Sequence, residues 1–239
     1  MYGVEERRAV TVVRKISCAV RRITDHGERV YTVELTPVTP APRFKPGQFL
    51  HLALDDHRPG GFWPDSRIFS IASSPQERTR LAITYAVKGR FTTRMESELR
   101  EGREVWVKLP YGEFVIDSSS DVVLFAGGTG VTAFTAFLQS LEARRTQRVM
   151  LYYGARTPDL FVYGPLAEAC ALRVPSFACS LVAEASHGVL SVDTAWPTVE
   201  TLADPAFYLS GPPEMLAALT GQLRARGVPE GRIHTDAWE

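Results

Sequence analysis

Apolar and polar residues alternate with a period of two through the first half of the chain. In "RVYTVEL" (residues 29–35) Tyr31, Val33 and Leu35 fall on one side, and "FLHLAL" (49–54) repeats the pattern with Leu50, Leu52 and Leu54. "LAITYAVKG" (81–89) places Leu81, Ile83, Tyr85 and Val87 together, and "VWVKLP" (105–110) adds Val105, Val107 and Leu109. Strand side chains alternate between faces, so each stretch predicts a short strand with one buried side. Pro and Gly breaks ("FKPGQ", "RPGG", "LPYGEF") separate them, which predicts an antiparallel barrel or sandwich.

Around "IDSSSD" (116–121) the pattern changes. "VVLFAGGTG" is a continuous apolar run ending in glycines, and "VTAFTAFLQSLEARR" follows with helical spacing. "VMLYYGAR", "SFACSLV" and "AFYLSGPP" read as further buried strands, the last running into the helical "EMLAALTGQLRARG". Strands alternating with helices predict a parallel sheet covered on both faces. The expected division is an all-β domain over residues 1–117 and an α/β domain over 118–239.

Length and charge narrow the function. The 239 residues are enough for two modest domains with real cores. Lys plus Arg and Asp plus Glu both number 27, so nothing points to a nucleic-acid partner or an anionic membrane. No apolar run approaches the roughly 18 residues of a membrane span. "MYGVEERRAV" lacks the apolar core of a signal peptide, so a cytoplasmic location is expected. Cys18, Cys170 and Cys179 are too few and too scattered for a disulfide framework or an iron–sulfur cluster on their own. The five histidines show no metal-ligand spacing, and no metal is expected.

Three stretches carry candidate chemistry. "RIFSIASSP" (67–75) sets Arg67 and Phe69 on one strand face with Ser70 next to them, offering an anion partner, a flat ring and a hydroxyl. An edge strand with an exposed Arg and a half-buried Phe explains the same pattern. "FAGGTGVT" (125–132) places Gly127, Gly128, Thr129 and Gly130 between a buried strand and a helix, where free N–H groups suit a pyrophosphate. Tight packing is the other reading of such a turn. "LSGPPEM" (209–215) is a second strand end leading into a helix, and ligands of open α/β sheets collect at that edge.

"FKPGQF", "RIFS", "VKGRFT", "GGTGVT", "SGPPEM" and a short aromatic tail, in that order, resemble the ferredoxin–NADP reductase family over essentially the whole chain. The resemblance implies an N-terminal antiparallel FAD-binding β-barrel and a C-terminal parallel-sheet nucleotide-binding α/β domain. It implies FAD as cofactor and NADH or NADPH as hydride donor. Arg67 would hold the FAD pyrophosphate, Ile68 and Phe69 would pack along the flavin, and Ser70 would sit near its N5. Val87 and Lys88 would give backbone contacts. Gly89 and Phe91 lead into "TRMESEL", a helix capped by Thr92 or Thr93 that would meet the same pyrophosphate. Gly127 to Thr132, Val131 included, would cradle the nicotinamide nucleotide together with Gly211 and Pro212.

Ser210 stands where many members place a cysteine beside the nicotinamide. In the tail "IHTDAWE", Asp236 would take the place of the family's acid and Trp238 that of its flavin-stacking ring. Lys88 as a solvated strand end and Trp238 as a tail anchor are the plainer alternatives. "AEASHG" after "SFACSLV" brings Glu184 and no arginine, which favours NADH, while Arg156 could serve a 2′-phosphate. The expected activity is hydride transfer from NAD(P)H to FAD and electron delivery to a separate acceptor: ferredoxin, flavodoxin, an oxygenase component or a small molecule. Alternatives are an NAD(P)H:flavin reductase using flavin as a diffusible substrate, and a non-catalytic FAD-binding regulatory subunit.

Overall fold

The computed structural model describes residues 12–236. The first half folds into six strands: β1 (Arg14–Asp25), β2 (Val30–Pro37), β3 (Phe49–Ala53), β4 (Ser66–Ser70), β5 (Leu81–Ala86) and β6 (Glu104–Tyr111). Their spatial order is β4-β3-β6-β1-β2-β5, all antiparallel. The two edge strands approach each other, and the Ala72 N–H just beyond β4 donates to the Ala82 carbonyl of β5 at 2.8 Å, so the sheet nearly closes into a barrel. The alternating residues point inward as expected: Leu50, Leu52, Leu81, Ile83, Val105 and Val107 are fully buried in one core.

β1 was not visible in the alternation. Ile16, Cys18 and Val20 do alternate inward, but Arg14, Lys15, Arg21 and Arg22 dominate the stretch, and the register shifts between Val20 and Arg22. Burial also pushes the Cys18 thiol pKa up to about 12, with Glu104 adding to the effect. α1 (Arg90–Glu98) spans β5 to β6 and packs Phe91 and Met95 into the barrel core.

The second half is a five-stranded parallel sheet in the order β11-β10-β7-β8-β9. The strands are β7 (Val122–Gly127), β8 (Val149–Ala155), β9 (Phe177–Ala183), β10 (Ala206–Ser210) and β11 (Ile233–Asp236). α2 (Thr132–Ser140) and α3 (Gly164–Arg173) cover one face with Val122, Leu124 and Ala126 beneath them. α4 (Glu184–His187) is a single turn, and α5 (Val192–Val199) and α6 (Pro213–Ala225) cover the other face over Val123 and Phe125. The apolar run of β7 is thus read on both sides, as a central parallel strand requires.

α2 stops at Ser140, short of the predicted end at Arg145. Leu141 turns extended and drops into the core, and Arg145 instead donates to the Ser118 and Ser120 carbonyls. Phe114 and Ile116 pack with the second core, so packing passes to the α/β half slightly before residue 117. Across the two halves, Thr84 of β5 and Tyr163 share a hydroxyl hydrogen bond of 2.8 Å, and Gln139 Nε2 donates to the Ala72 carbonyl at 2.8 Å. Among the described residues no helix is long and apolar enough to cross a membrane.

Candidate functional site

The sheet order creates the site. After β7 the chain leaves to α2 on one face, and after β10 it leaves to α6 on the other, while β7 and β10 are hydrogen-bonded neighbours. The connections leaving their carboxyl ends therefore diverge to opposite faces and leave a crevice. A cavity of about 1280 Å3 opens there and extends to the barrel edge.

The barrel wall of this cavity is made by the two edge strands. Ile68, Phe69 and Ser70 of β4 and Thr84 and Tyr85 of β5 line it. The Phe69 ring is half-buried, 6.1 Å from the Tyr85 ring at 59°. Burial raises the Tyr85 pKa well above its ordinary value, so this wall carries a neutral phenol. Lys88 and Thr92 extend the wall to the start of α1.

α1 begins at Arg90, earlier than "TRMESEL" implied, and its N-cap is Gly89 rather than Thr92 or Thr93. The Thr92 hydroxyl oxygen instead accepts from the Lys88 and Gly89 N–H groups, at 2.9 and 3.1 Å, and Thr93 is exposed on the first turn. No side chain caps the helix, so its first N–H groups face outward. Gly89 has an extended backbone with φ −155°, and a Cβ there would meet nothing within 4 Å. Neither strain nor packing demands the glycine, and the room in front of the helix stays open.

Arg67 does not line the cavity. Its side chain is 55% exposed, its Nη1 donates to Asp65 Oδ1 at 2.9 Å and to the Ser66 carbonyl at 2.8 Å, and the guanidinium lies 5.3 Å over the Phe91 ring. It is a cation at the outer shoulder of α1. Phe91 is buried in the barrel core beneath it, so it supports Arg67 and does not reach the cavity. Val87 packs against the same core, its N–H bonded to the Arg29 carbonyl at 3.0 Å.

On the opposite wall the glycines divide into two kinds. A Cβ on Gly130 would lie 2.5 Å from the Ser210 carbonyl oxygen, and one on Gly127 would lie 2.5 Å from Met215 Sδ. These two, with Gly211, let the ends of β7 and β10 touch. Gly128 is different: its φ is +53° and a Cβ would meet nothing within 4 Å. The turn is tight packing at residues 127 and 130 and an open cradle at 128. Thr129, Thr132 and Pro212 also line the cavity, whereas Val131 is buried in the core under α2.

Ser210 ends β10 and faces the cavity with 1% exposure. Parallel pairing sets it opposite Asp236 of β11, and its hydroxyl donates to Asp236 Oδ2 at 3.0 Å. Asp236 is itself buried and meets the cavity-lining Ser210 through this hydrogen bond. Trp238 lies outside the described residues.

At the far end, Arg156 and Glu184 line the cavity, and Arg156 Nη2 sits 2.5 Å from Glu28 Oε2 on the β1–β2 hairpin. Glu28, Thr84, Tyr163 and Met215 were not found from the sequence. Thr84 occupies the polar phase of a strand whose outer face is assigned to solvent by alternation, yet that face is covered by the other domain. Among the described residues no group of three or more His, Cys, Asp or Glu could hold a metal ion.

Residues 124–220 match the oxidoreductase NAD-binding domain. The ferredoxin reductase component of 3-ketosteroid-9-alpha-monooxygenase from Mycolicibacterium smegmatis is 28% identical over 82% of this chain. The reductase component of propane 2-monooxygenase from Rhodococcus jostii is 28% identical over 94% of it. The chain thus carries an oxidoreductase NAD-binding domain and is similar to the ferredoxin reductase components of oxygenase systems. It spans 56% and 64% of the length of these two relatives. Its fold matches that of the Amycolatopsis cytochrome P450 reductase GcoB, with a TM-score of 0.82 at 23% identity over 98% of this chain and 72% of the other. Phthalate dioxygenase reductase, described as modular for electron transfer from pyridine nucleotides to [2Fe–2S], matches with a TM-score of 0.74 at 23% identity over 93% of this chain and 67% of the other. At these identities the structures speak for the fold.

Proposed function

We propose that this protein is a flavoprotein reductase that moves a hydride from a reduced nicotinamide nucleotide to FAD and electrons onward to a separate acceptor. One observation carries the reading. A single cavity joins a barrel edge bearing a ring, a hydroxyl and an uncapped helix start to the glycine-lined switch point of a parallel sheet. At about 1280 Å3 it exceeds the roughly 300–1,000 Å3 of a pocket for one ligand, which suits two dinucleotides meeting.

The residues present fit both. The first turn of α1 offers N–H donors to the FAD pyrophosphate, with Arg67 as the permanent cation beside them. Phe69 offers an apolar surface to the ring system and Ser70 a hydroxyl, while the open backbone at Gly128 and the start of the following helix suit the second pyrophosphate. When bound, the flavin supplies the conversion between hydride and single-electron chemistry, and the protein contributes positioning and electrostatics. Ser210, with its proton committed to Asp236, presents its oxygen to the cavity as an acceptor at a defined place.

NADH is the preferred donor in this reading, because Glu184 faces the cavity and Arg156 is already paired. The relatives serve monooxygenase systems by name, and we assign a ferredoxin, flavodoxin or oxygenase component, or a small molecule, as acceptor. A nicotinamide-dependent enzyme works where its nucleotide pool is, and we place it in the cytoplasm. A second reading, a reductase of diffusible flavin, is favoured by Arg67, which is engaged by Asp65 rather than turned to the cavity. Gel filtration after loading with FAD separates the two: retained yellow flavin supports the first, and flavin lost on the column yet reduced when added supports the second. A protein that takes up no flavin in either format would refute both.

A further inference from the structure

The hairpin between β1 and β2 carries unusual backbone. Glu28 and Arg29 both have positive φ, 45° and 59°, and the Val30 N–H closes the turn on the Gly27 carbonyl at 2.9 Å. Asn and Gly are the residues that occupy such positions without strain. Two long charged side chains sit there instead, and each reaches across to another element. Arg29 donates to Glu96 of α1, Nη2 to Oε2 at 2.5 Å, and Glu28 accepts from Arg156 at the mouth of the cavity. Strain maintained at a site beside a ligand cavity points to a role for the side chains it presents.

We infer that Glu28 is a specificity-determining residue that excludes a 2′-phosphorylated nicotinamide nucleotide. The inference rests on the reductase reading above and extends it to a residue outside the nucleotide domain. Arg156 is a cation on the cavity wall suited to a phosphate monoester, and it is 69% exposed. Glu28 occupies it from the barrel side. Glu184 lines the same end of the cavity, and the Ala185 N–H donates to the Arg156 carbonyl at 3.2 Å, so its turn is adjacent. One carboxylate thus already pairs with the guanidinium, and a second lines the same end of the cavity. A phosphate dianion would have to displace Glu28 from Arg156 and then lie beside it. NADH carries no such group.

The test is the ratio of kcat/KM for NADPH to that for NADH in the FAD-loaded protein, at low and at high salt. Glu28→Asn removes the carboxylate while suiting the left-handed turn, so its thermal midpoint should not fall. It should raise the NADPH:NADH ratio by about three- to tenfold at low salt, and less at high salt, since the pair is exposed and screened. Adding Arg156→Gln should abolish that gain. An unchanged ratio in a folded, NADH-active Glu28→Asn protein overturns the role of Glu28 and leaves the reductase reading standing. A wild-type protein whose flavin neither nucleotide reduces overturns both.

Discussion

Replacing Gly130 by alanine tests how the site is built. The added methyl group would lie 2.5 Å from the Ser210 carbonyl oxygen, 2.6 Å from its carbon and 2.7 Å from the Gly211 nitrogen. All three are backbone atoms at the end of β10, so no side-chain rotation relieves the clash and the turn after β7 must part from β10. Overpacking costs about 1–3 kcal/mol when side chains can adjust, and the upper end applies here. At about 2–4 °C per kcal/mol, the thermal midpoint should fall by roughly 6–12 °C. Gly128→Ala is the control. Its φ of +53° costs an alanine about 1–2 kcal/mol, but the methyl group meets nothing within 4 Å. It should be the milder change for stability, yet it places a group in space assigned to the nucleotide and should weaken NADH binding. Thermal denaturation of both variants, with NADH affinity measured alongside, decides the matter. If Gly128→Ala destabilises as much as Gly130→Ala, the division into packed and open glycines is wrong.

Other expected outcomes follow from the same geometry. Arg67→Ala should weaken FAD binding by about 10- to 100-fold, from the roughly 1.5–3 kcal/mol of a charge-assisted bond; unchanged flavin retention would contradict its role. Tyr163→Phe removes the hydroxyl that meets Thr84 across the domains and should cost about 1 kcal/mol, read as a lowered urea midpoint; an unchanged midpoint would show that this bond adds nothing. Burial lowers the pKa of His26, and it does the same to His51 and His234 with help from Lys108 and Arg232. The unfolded chain then binds more protons than the fold below about pH 6.5, so stability should fall as pH drops from about 7 to about 5. A thermal midpoint flat or rising over that range would contradict this.

Much of the fold is legible in the sequence because burial follows the two periodicities closely. β3, β5 and β6 of the barrel and β7 to β10 of the sheet coincide with the quoted runs. The failures have physical causes. β1 hides because the face turned away from the core is crowded with arginines and lysine, and a register shift interrupts its phase. Thr84 looks like a solvent-facing threonine until Tyr163 covers it from the other domain. The site is half legible: glycines and the serine-bearing strand are local features, so their places on one crevice follow from topology. What Arg67, Arg156 and Asp236 contact is long-range or a matter of rotamer. Asp65 turns Arg67 outward, Glu28 reaches Arg156 over 128 positions, and Asp236 meets Ser210 only through strand pairing.

The most direct test of the account is an anaerobic titration of the FAD-loaded protein with NADH, followed by flavin absorbance. The oxidised flavin bands should bleach with about one NADH per bound flavin and recover when an electron acceptor is admitted. Flavin that binds in the cavity but stays oxidised at excess NADH and excess NADPH would contradict it.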